Sequence, residues 1–416
     1  MVQSFMGIGI PVAILILAVL IFVHEMGHFL VAKFFGVGVL EFAIGFGPKL
    51  FSWQTTETTY TLRAIPLGGF VRMTGDDPRM VHGELLVEEG SVGGASPIEG
   101  SQSDLTPTQI ALVNDESRWF LRQGYVSKCA IVIAGPLFNF LFAWSLAVGL
   151  CFWIGVPEMA NVPEGPVTIG SISPGMPAAA AGLKDGDKVK TIDGRPIVAF
   201  SELLQAVRDS GGKELEIVIE RPVVGDSGDL AGAAARTETV SVKVKPTADE
   251  KEIDVLEGRD ASQATYRIGV GMALTGLTYR PIGFGEAVYA GGAHVVDLTY
   301  TTLRIFKALL SGVLSPRKTI GGPLSIIEQT AKSTQAGFPH VLEMMILLNV
   351  SLGVMNLFPV PVLDGGHLVM FTLELLKGGR LSFRFQDAAT RVGMAMLLLL
   401  MVFAFGNDIV RMIPWK

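Results

Sequence analysis

Long apolar runs alternate along this chain with β-patterned, polar or glycine-rich stretches. The first run carries no charge over nineteen residues, Phe5 to Val23, and continues through "FVHEMGHFLVAKFFG". The others cover Val126 to Val156, Val341 to Val360 with an extension past a proline break to about Leu376, and Val392 to Val410. A membrane-crossing helix needs about 20 mainly apolar residues, so the pattern predicts four transmembrane spans. Between the first two, residues 36–75 are rich in β-branched and aromatic residues punctuated by Gly and Pro, which reads as a small sheet or hairpin beside the membrane. Residues 76–117 are acidic and Gly/Ser-rich, the composition of a disordered insertion. Between spans two and three, "PVTIGSISPG", "KELEIVIERP" and "TETVSVKVKP" read as strands. "AFSELLQAVRDS" has helical periodicity, with Phe200, Leu203, Leu204 and Val207 on one face. Pro281 to Gly337 is too broken by glycine to predict a span and reads as an amphipathic segment on the outer membrane face.

The expected organisation is therefore 1–35 first span, 36–75 cytoplasmic β segment, 76–117 insertion and 118–156 second span. An external α+β domain over 157–248, a connector over 249–340, the third span over 341–376 and a cytoplasmic turn with the fourth span over 377–416 complete it.

Composition agrees with a membrane protein. Apolar residues make up 49% and charged residues 17%, against about 25% charged in soluble domains, and mean hydropathy is +0.46. A net charge of −6 and dispersed basic residues speak against nucleic-acid binding. Cys129 and Cys151 are too few for a disulfide framework. The opening "MVQSFMG" lacks a basic n-region, so the first run reads as a retained span rather than a leader. Lys33, Arg118, Arg122 and Lys128 flank the first connection, and Lys377, Arg380, Arg384 and Arg391 the third. The positive-inside rule puts both in the cytoplasm and the α+β domain outside.

His24, Glu25 and His28 lie inside the first apolar run, where ionisable residues are expensive and mark function. His24 and His28 are one turn apart, so a helix presents both imidazoles on one face. Two such imidazoles can hold one Zn²⁺, with Glu25 beside them as general base toward a water. Gly27 allows a neighbouring helix close. At about 1.5 Å per residue, His24 lies roughly 27 Å along the helix from Met6, near the cytoplasmic end. A catalytic zinc wants a third protein ligand and an open position. His82, His294, His340 and His367 are the other histidines. His82 falls in the insertion, and His294 and His340 on the outer side. The better candidate is Asp364 in "NLFPVPVLDGGHL", where Pro359 and Pro361 break the third span and bring an acid to the depth of His24. His367, one turn on, is a lesser one.

"HEMGH" in span one, "GPLFN" (Gly135 to Asn139) in span two and "NLFPVPVLDGG" in span three resemble the signature set of the site-2 protease family, the intramembrane zinc metalloproteases. The bacterial regulator-of-sigma-E group is the most similar: "GFGPKLF" and "IPLGGFVRM" resemble its membrane-associated β segment, and "GGPLSI" the segment before its third span. The resemblance implies one Zn²⁺ per chain, held by His24, His28 and Asp364, with Glu25 as catalytic base. Asn139 and Asn356 then bind substrate backbone or stabilise the oxyanion, or else hydrogen-bond between helices; Pro359 and Pro361 shape the break. "SISPGMPAAAAGLKDGDKVKTIDGRPI" resembles a bacterial PDZ domain, which binds an extended peptide or C-terminal tail at a sheet edge. The strand Val167 to Ser171 and the helix Phe200 to Arg208 are expected to flank that groove. Tandem PDZ units mark the best-known members, and here there is one. The implied activity is cleavage of single-span membrane proteins, of the anti-sigma-factor or signal-peptide-remnant class, in a bacterial inner membrane with the PDZ domain periplasmic. The alternative is a non-catalytic PDZ-bearing membrane scaffold or a metal-binding transporter.

Overall fold

The computed structural model describes residues 9–77, 105–158, 167–173, 175–222, 237–248, 266–272 and 278–412. Among them, four helices are long and apolar enough to cross a membrane: Ile10–Phe34, Tyr125–Ile154, Phe338–Asn356 and Phe383–Arg411. They correspond to the four expected runs and are called the first to fourth spans. The chain divides into two compact units, one of residues 1–151, 284–302 and 317–416, the other of 152–283 and 303–316.

In the first unit, the first span has Pro11 in its opening turn, where a missing N–H costs nothing. It ends with Lys33 in the last turn and a left-handed glycine, Gly36 (φ +76°). The chain then enters the expected hairpin, β1 (Val39–Gln54) and β2 (Thr59–Met73), paired antiparallel. Both strands bend. Residues 41–44 have partners on two sides, residues 69–72 on one and 59–62 on the other. Gly45 and Gly47 supply the turn in β1 with φ of +87° and +82°. The half of β1 nearest the first span is buried, while the other half exposes Phe46, Leu50, Phe51 and Trp53.

Phe29 and Ala32 of the first span, Val39, Phe42 and Met73 of the hairpin, Phe120, Ile131 and Val132 of the second span's approach and body, and Phe371 form one core. That core fixes the hairpin against the first span beside His28. Much of the expected insertion lies outside the described residues, but its last part is ordered: Pro107–Asn114 is a helix opened by a Thr106/Gln109 capping box. The expectation of disorder fails there because Gln109 is buried and donates to Leu40 O, Glu57 O and Thr59 Oγ1, tying the helix to the hairpin.

The third span stops at Asn356, and a new helix, Asp364–Lys377, begins after the Pro359/Pro361 break. Nothing larger than glycine fits at 365 and 366, where a Cβ would strike the carbonyls of Leu357, Phe358 and Val360. Val362 takes φ +101°, a strained value for a β-branched residue. Gly393 of the fourth span packs against the carbonyl of Pro361.

The region expected to be amphipathic rather than a span holds one continuous helix, Phe284–Leu310, followed by Pro323–Ala336, and neither is among the four candidate spans. Its glycines do not interrupt it because one serves packing: a Cβ on Gly291 would lie 2.7 Å from Val148 N of the second span. Trp144 Nε1 donates to Val288 O there at 3.1 Å.

In the second unit, β3 (Val156–Glu158) pairs with β12 (Thr278–Arg280). The main sheet runs β11 (Val270–Met272), β4 (Val167–Ile172), β5 (Lys188–Ile192), β7 (Leu215–Pro222), β8 (Thr237–Val244), with β6 (Arg195–Pro196) on β5 and a separate β9 (Thr247–Ala248)–β10 (Tyr266–Arg267) pair. Leu203, Val207, Ile169, Val189, Ile217, Ile219 and Ile268 fill its core. Two expectations change. The sheet takes in residues beyond the expected boundary at 248. The groove between the strand Val167–Ser171 and the helix Phe200–Asp209 has no free β4 edge, because β4 is paired on both sides, with β5 and with β11. The edge on that side of the sheet is β11, which lies in a short apolar stretch after a charged segment and carries little strand signal of its own.

Candidate metal centre

The first span presents His24 and His28 on one face, both buried, with ring centroids 4.8 Å apart. Their Nε2 atoms are 3.2 Å apart. Asp364, the first residue of the helix after the break, brings Oδ2 to 3.3 Å from His24 Nε2 and Oδ1 to 3.5 Å from His28 Nε2. Among the described residues these three form the one group of His, Cys, Asp or Glu whose ligand atoms converge to hold a metal.

The second span makes this convergence possible. A Cβ at Gly135 would overlap the rings of His28 and His24, and one at Gly27 would overlap the carbonyl of Ala134. Two facing glycines thus let the helices touch where the imidazoles need room.

The donor set fits a zinc ion. Tetrahedral bonds of about 2.0–2.1 Å set ligand atoms roughly 3.3 Å apart, close to the 3.2, 3.3 and 3.5 Å found. Neutral imidazole nitrogens and a carboxylate are acceptors. Asp364 Oδ2 is buried with no donor aligned on it. Three such acceptors converging on one point suit a bound cation.

A cavity of about 1170 Å³ opens on this cluster. Glu25, Asn356 and His367 line it, together with Gly69, Phe70 and Val71 of β2. Glu25 touches the hairpin, since a Cβ on Gly69 would lie 2.9 Å from its Cγ. Asn356 Nδ2 is 3.3 Å from His24 Nε2. Asn139 is elsewhere: fully buried, absent from the cavity wall, with Nδ2 3.0 Å from His24 Nδ1. Pro359 and Pro361 lie in the break that aims Asp364. His367 stacks toward Phe371 at 6.2 Å and does not join the converging atoms. His294 pairs with Glu343 at 2.8 Å, His340 sits in the first turn of the third span, and His82 lies outside the described residues.

One contributor to the site was not legible in the sequence. Ile131 accepts a hydrogen bond from His28 Nδ1 through its main-chain oxygen at 2.8 Å, which no side-chain motif can announce. Asp408 in the fourth span had a signal, a lone acid in an apolar run, and it proves to hold the loop before Pro323–Ala336.

Comparison with known proteins gives the same chemistry. The chain is 34% identical over 403 residues to a protein of Rhizobium meliloti (strain 1021) named as a zinc metalloprotease, covering 96% of each chain. It is 29% identical over 446 residues to the regulator of sigma-W protease RasP of Bacillus subtilis (strain 168), covering 96% of this chain and 97% of that one. A protein of Brucella suis biovar 1 (strain 1330), likewise named as a zinc metalloprotease, is 31% identical over 95% of this chain. The model of peptidase family M50 matches residues 12–400, which include every residue of the converging cluster. A multi-pass membrane protein with a zinc-fitting His–His–Asp cluster and relatives of this kind is a zinc metalloprotease, and the chain belongs to peptidase family M50.

Proposed function

We propose that this enzyme cleaves single-span membrane proteins within the bilayer, in regulated intramembrane proteolysis, with His24, His28 and Asp364 holding the zinc and Glu25 as the base. The carrying observation is that donors from the first span and from the broken third span meet at zinc-ligand separations on the wall of a cavity shared with Glu25. A zinc ion bound there supplies Lewis acidity, lowering the pKa of a water and polarising the scissile carbonyl. Glu25 takes the proton from the attacking water and delivers it to the departing amide nitrogen. Asn356, on the open side of His24, is placed to donate to the carbonyl oxygen as charge develops there.

A substrate helix hides its carbonyls in its own hydrogen bonds and must unwind before attack; the freed groups then need partners. Residues 69–73 of β2 pair on one side with residues 39–44, and Gly69, Phe70, Val71 and Met73 line the cavity. An unwound substrate segment adds to that edge as a strand. Pro359 and Pro361 shape the break that delivers Asp364.

The sheet of the second unit acts as a PDZ domain, taking a peptide or C-terminal tail along β11, its edge strand. The orientation follows the loop charges: domain periplasmic, active site toward the cytoplasm, in a bacterial inner membrane. The relative named regulator of sigma-W protease supports an anti-sigma factor as substrate, and a signal-peptide remnant has the same single-span form. A scaffold or transporter has no use for Glu25 on the cavity wall beside two imidazoles.

Glu25→Gln tests this. It retains zinc and loses cleavage of a model single-span substrate by about 10²–10⁴-fold, the usual contribution of a positioned base. Cleavage at the wild-type rate by this variant rules the mechanism out.

A further inference from the structure

The second span backs both imidazoles. His28 Nδ1 lies 2.8 Å from the carbonyl of Ile131, an acceptor only, so that nitrogen carries the hydrogen and Nε2 keeps its lone pair toward Asp364. His24 presents the same edge: its Nε2 lies 3.2 Å from His28 Nε2 and 3.3 Å from Asp364 Oδ2. Its hydrogen therefore belongs on Nδ1, and the group 3.0 Å behind Nδ1 is the amide of Asn139.

With Nδ2 toward the ring, that amide would donate to Nδ1 and force the hydrogen onto Nε2, where a metal must bind. Oxygen and nitrogen of an asparagine amide are assigned from their partners. Asn139 Oδ1 has none and is buried. Turning the amide over makes Oδ1 the acceptor for Nδ1–H and leaves His24 Nε2 free. Asn139 is fully buried and does not reach the cavity, whereas Asn356 lines it. The two asparagines that look alike in sequence thus divide the work.

We infer that Asn139 is a positioning residue: its amide oxygen accepts from His24 Nδ1–H and fixes the tautomer and ring orientation in which His24 binds zinc, as the carbonyl of Ile131 does for His28. Partners behind a metal-bound histidine govern affinity as well as rate. This inference rests on the zinc site proposed above.

Zinc retention by the purified full-length protein against a graded chelator tests it. Asn139→Leu, with no acceptor, weakens zinc by about 10–100-fold, while KM for the substrate stays at the wild-type value once zinc saturates the site. Asn139→Asp keeps the acceptor and retains wild-type zinc affinity. Should Asn139→Leu fail to remain monodisperse, Asn139→Ala, which also lacks the acceptor, takes its place with the same expected loss of affinity. Wild-type zinc affinity in Asn139→Leu with a lowered kcat would overturn the inference by making Asn139 act on the reacting atoms. Loss of zinc from a folded Asn139→Asp would overturn it too, by making the amide a donor. A wild-type protein holding zinc no tighter than His24→Ala is a different result, and it refutes the zinc site itself.

Discussion

Asp364, at the start of the helix after the break, and Asp408, within the fourth span, are both carboxylates in apolar surroundings, and they are opposites. Asp408, 2% exposed, accepts from the backbone N–H groups of Gly322 at 2.9 Å, Leu324 at 2.9 Å and Ser325 at 3.1 Å, and from the Ser325 hydroxyl. Its lone pairs are spent on the start of the helix Pro323–Ala336, which has no cap of its own, and it ties that helix to the fourth span. Asp364 aims its oxygens at two imidazoles and leaves Oδ2 without an aligned donor. A buried carboxylate is tolerated when donors surround it. Where imidazole nitrogens converge on it instead, the arrangement suits a cation, as the proposed zinc site requires. The distinction between a structural acid and a metal ligand lies in the sign of the neighbours.

The comparison can be broken at several points. Asp364→Ala removes one of the three proposed ligands; zinc is released and cleavage falls to background, read by metal content and by substrate turnover. If Asp408→Ala also releases zinc, the two acids are not different in kind. Gly135→Ala pushes a methyl group into both imidazoles. A displacement of this size costs about 10²-fold in turnover, measured at saturating zinc. Asp408→Ala strands buried N–H donors, so stability drops by about 2–5 kcal/mol, seen as a lower unfolding midpoint in detergent, with zinc content intact.

The smallest effect concerns Glu41, another buried acid. Burial pushes its carboxyl up, but hydrogen bonds from Arg63 and Thr61 and the charges of Arg72 and Arg63 outweigh this and hold it below the ordinary glutamate range. A depressed folded-state value means the contribution is fully present above the ordinary glutamate pKa and is lost as pH falls through the depressed one. Resistance of the hairpin to proteolysis therefore stays level from neutral pH to about pH 5 and declines only in stronger acid. Glu41→Gln flattens that decline; an unchanged acid profile in the variant assigns it to other groups.

Much of this was legible beforehand because its signals are local. His24 and His28 share a helix, so spacing alone aligns them, and the proline break marks Asp364 as an unusual acid. The hairpin announced itself through β-branched residues and Gly punctuation. The segment expected to be amphipathic rather than spanning is the helix Phe284–Leu310, which is not among the four candidate spans; its length was not legible because Gly291, a weak helix former in sequence, is in the fold the contact point for Val148. The helix Pro107–Asn114 was missed because its stability comes from Gln109 reaching residues about fifty positions away and more. The edge strand β11 was missed because its partner β4 is about a hundred residues earlier.

The sequence by itself determined the four spans, the paired imidazoles, the glutamate beside them and the acid at the break, since each depends on residue type and helical period within a few turns. Only the tertiary structure decided that His24, His28 and Asp364 meet, that Asn139 stands behind the cluster while Asn356 stands before it, and that Ile131 and Gly135 shape it. Those relations join atoms far apart along the chain, and close packing between helices, with its demand for glycine at one contact and an acceptor at the next, is what brings them together.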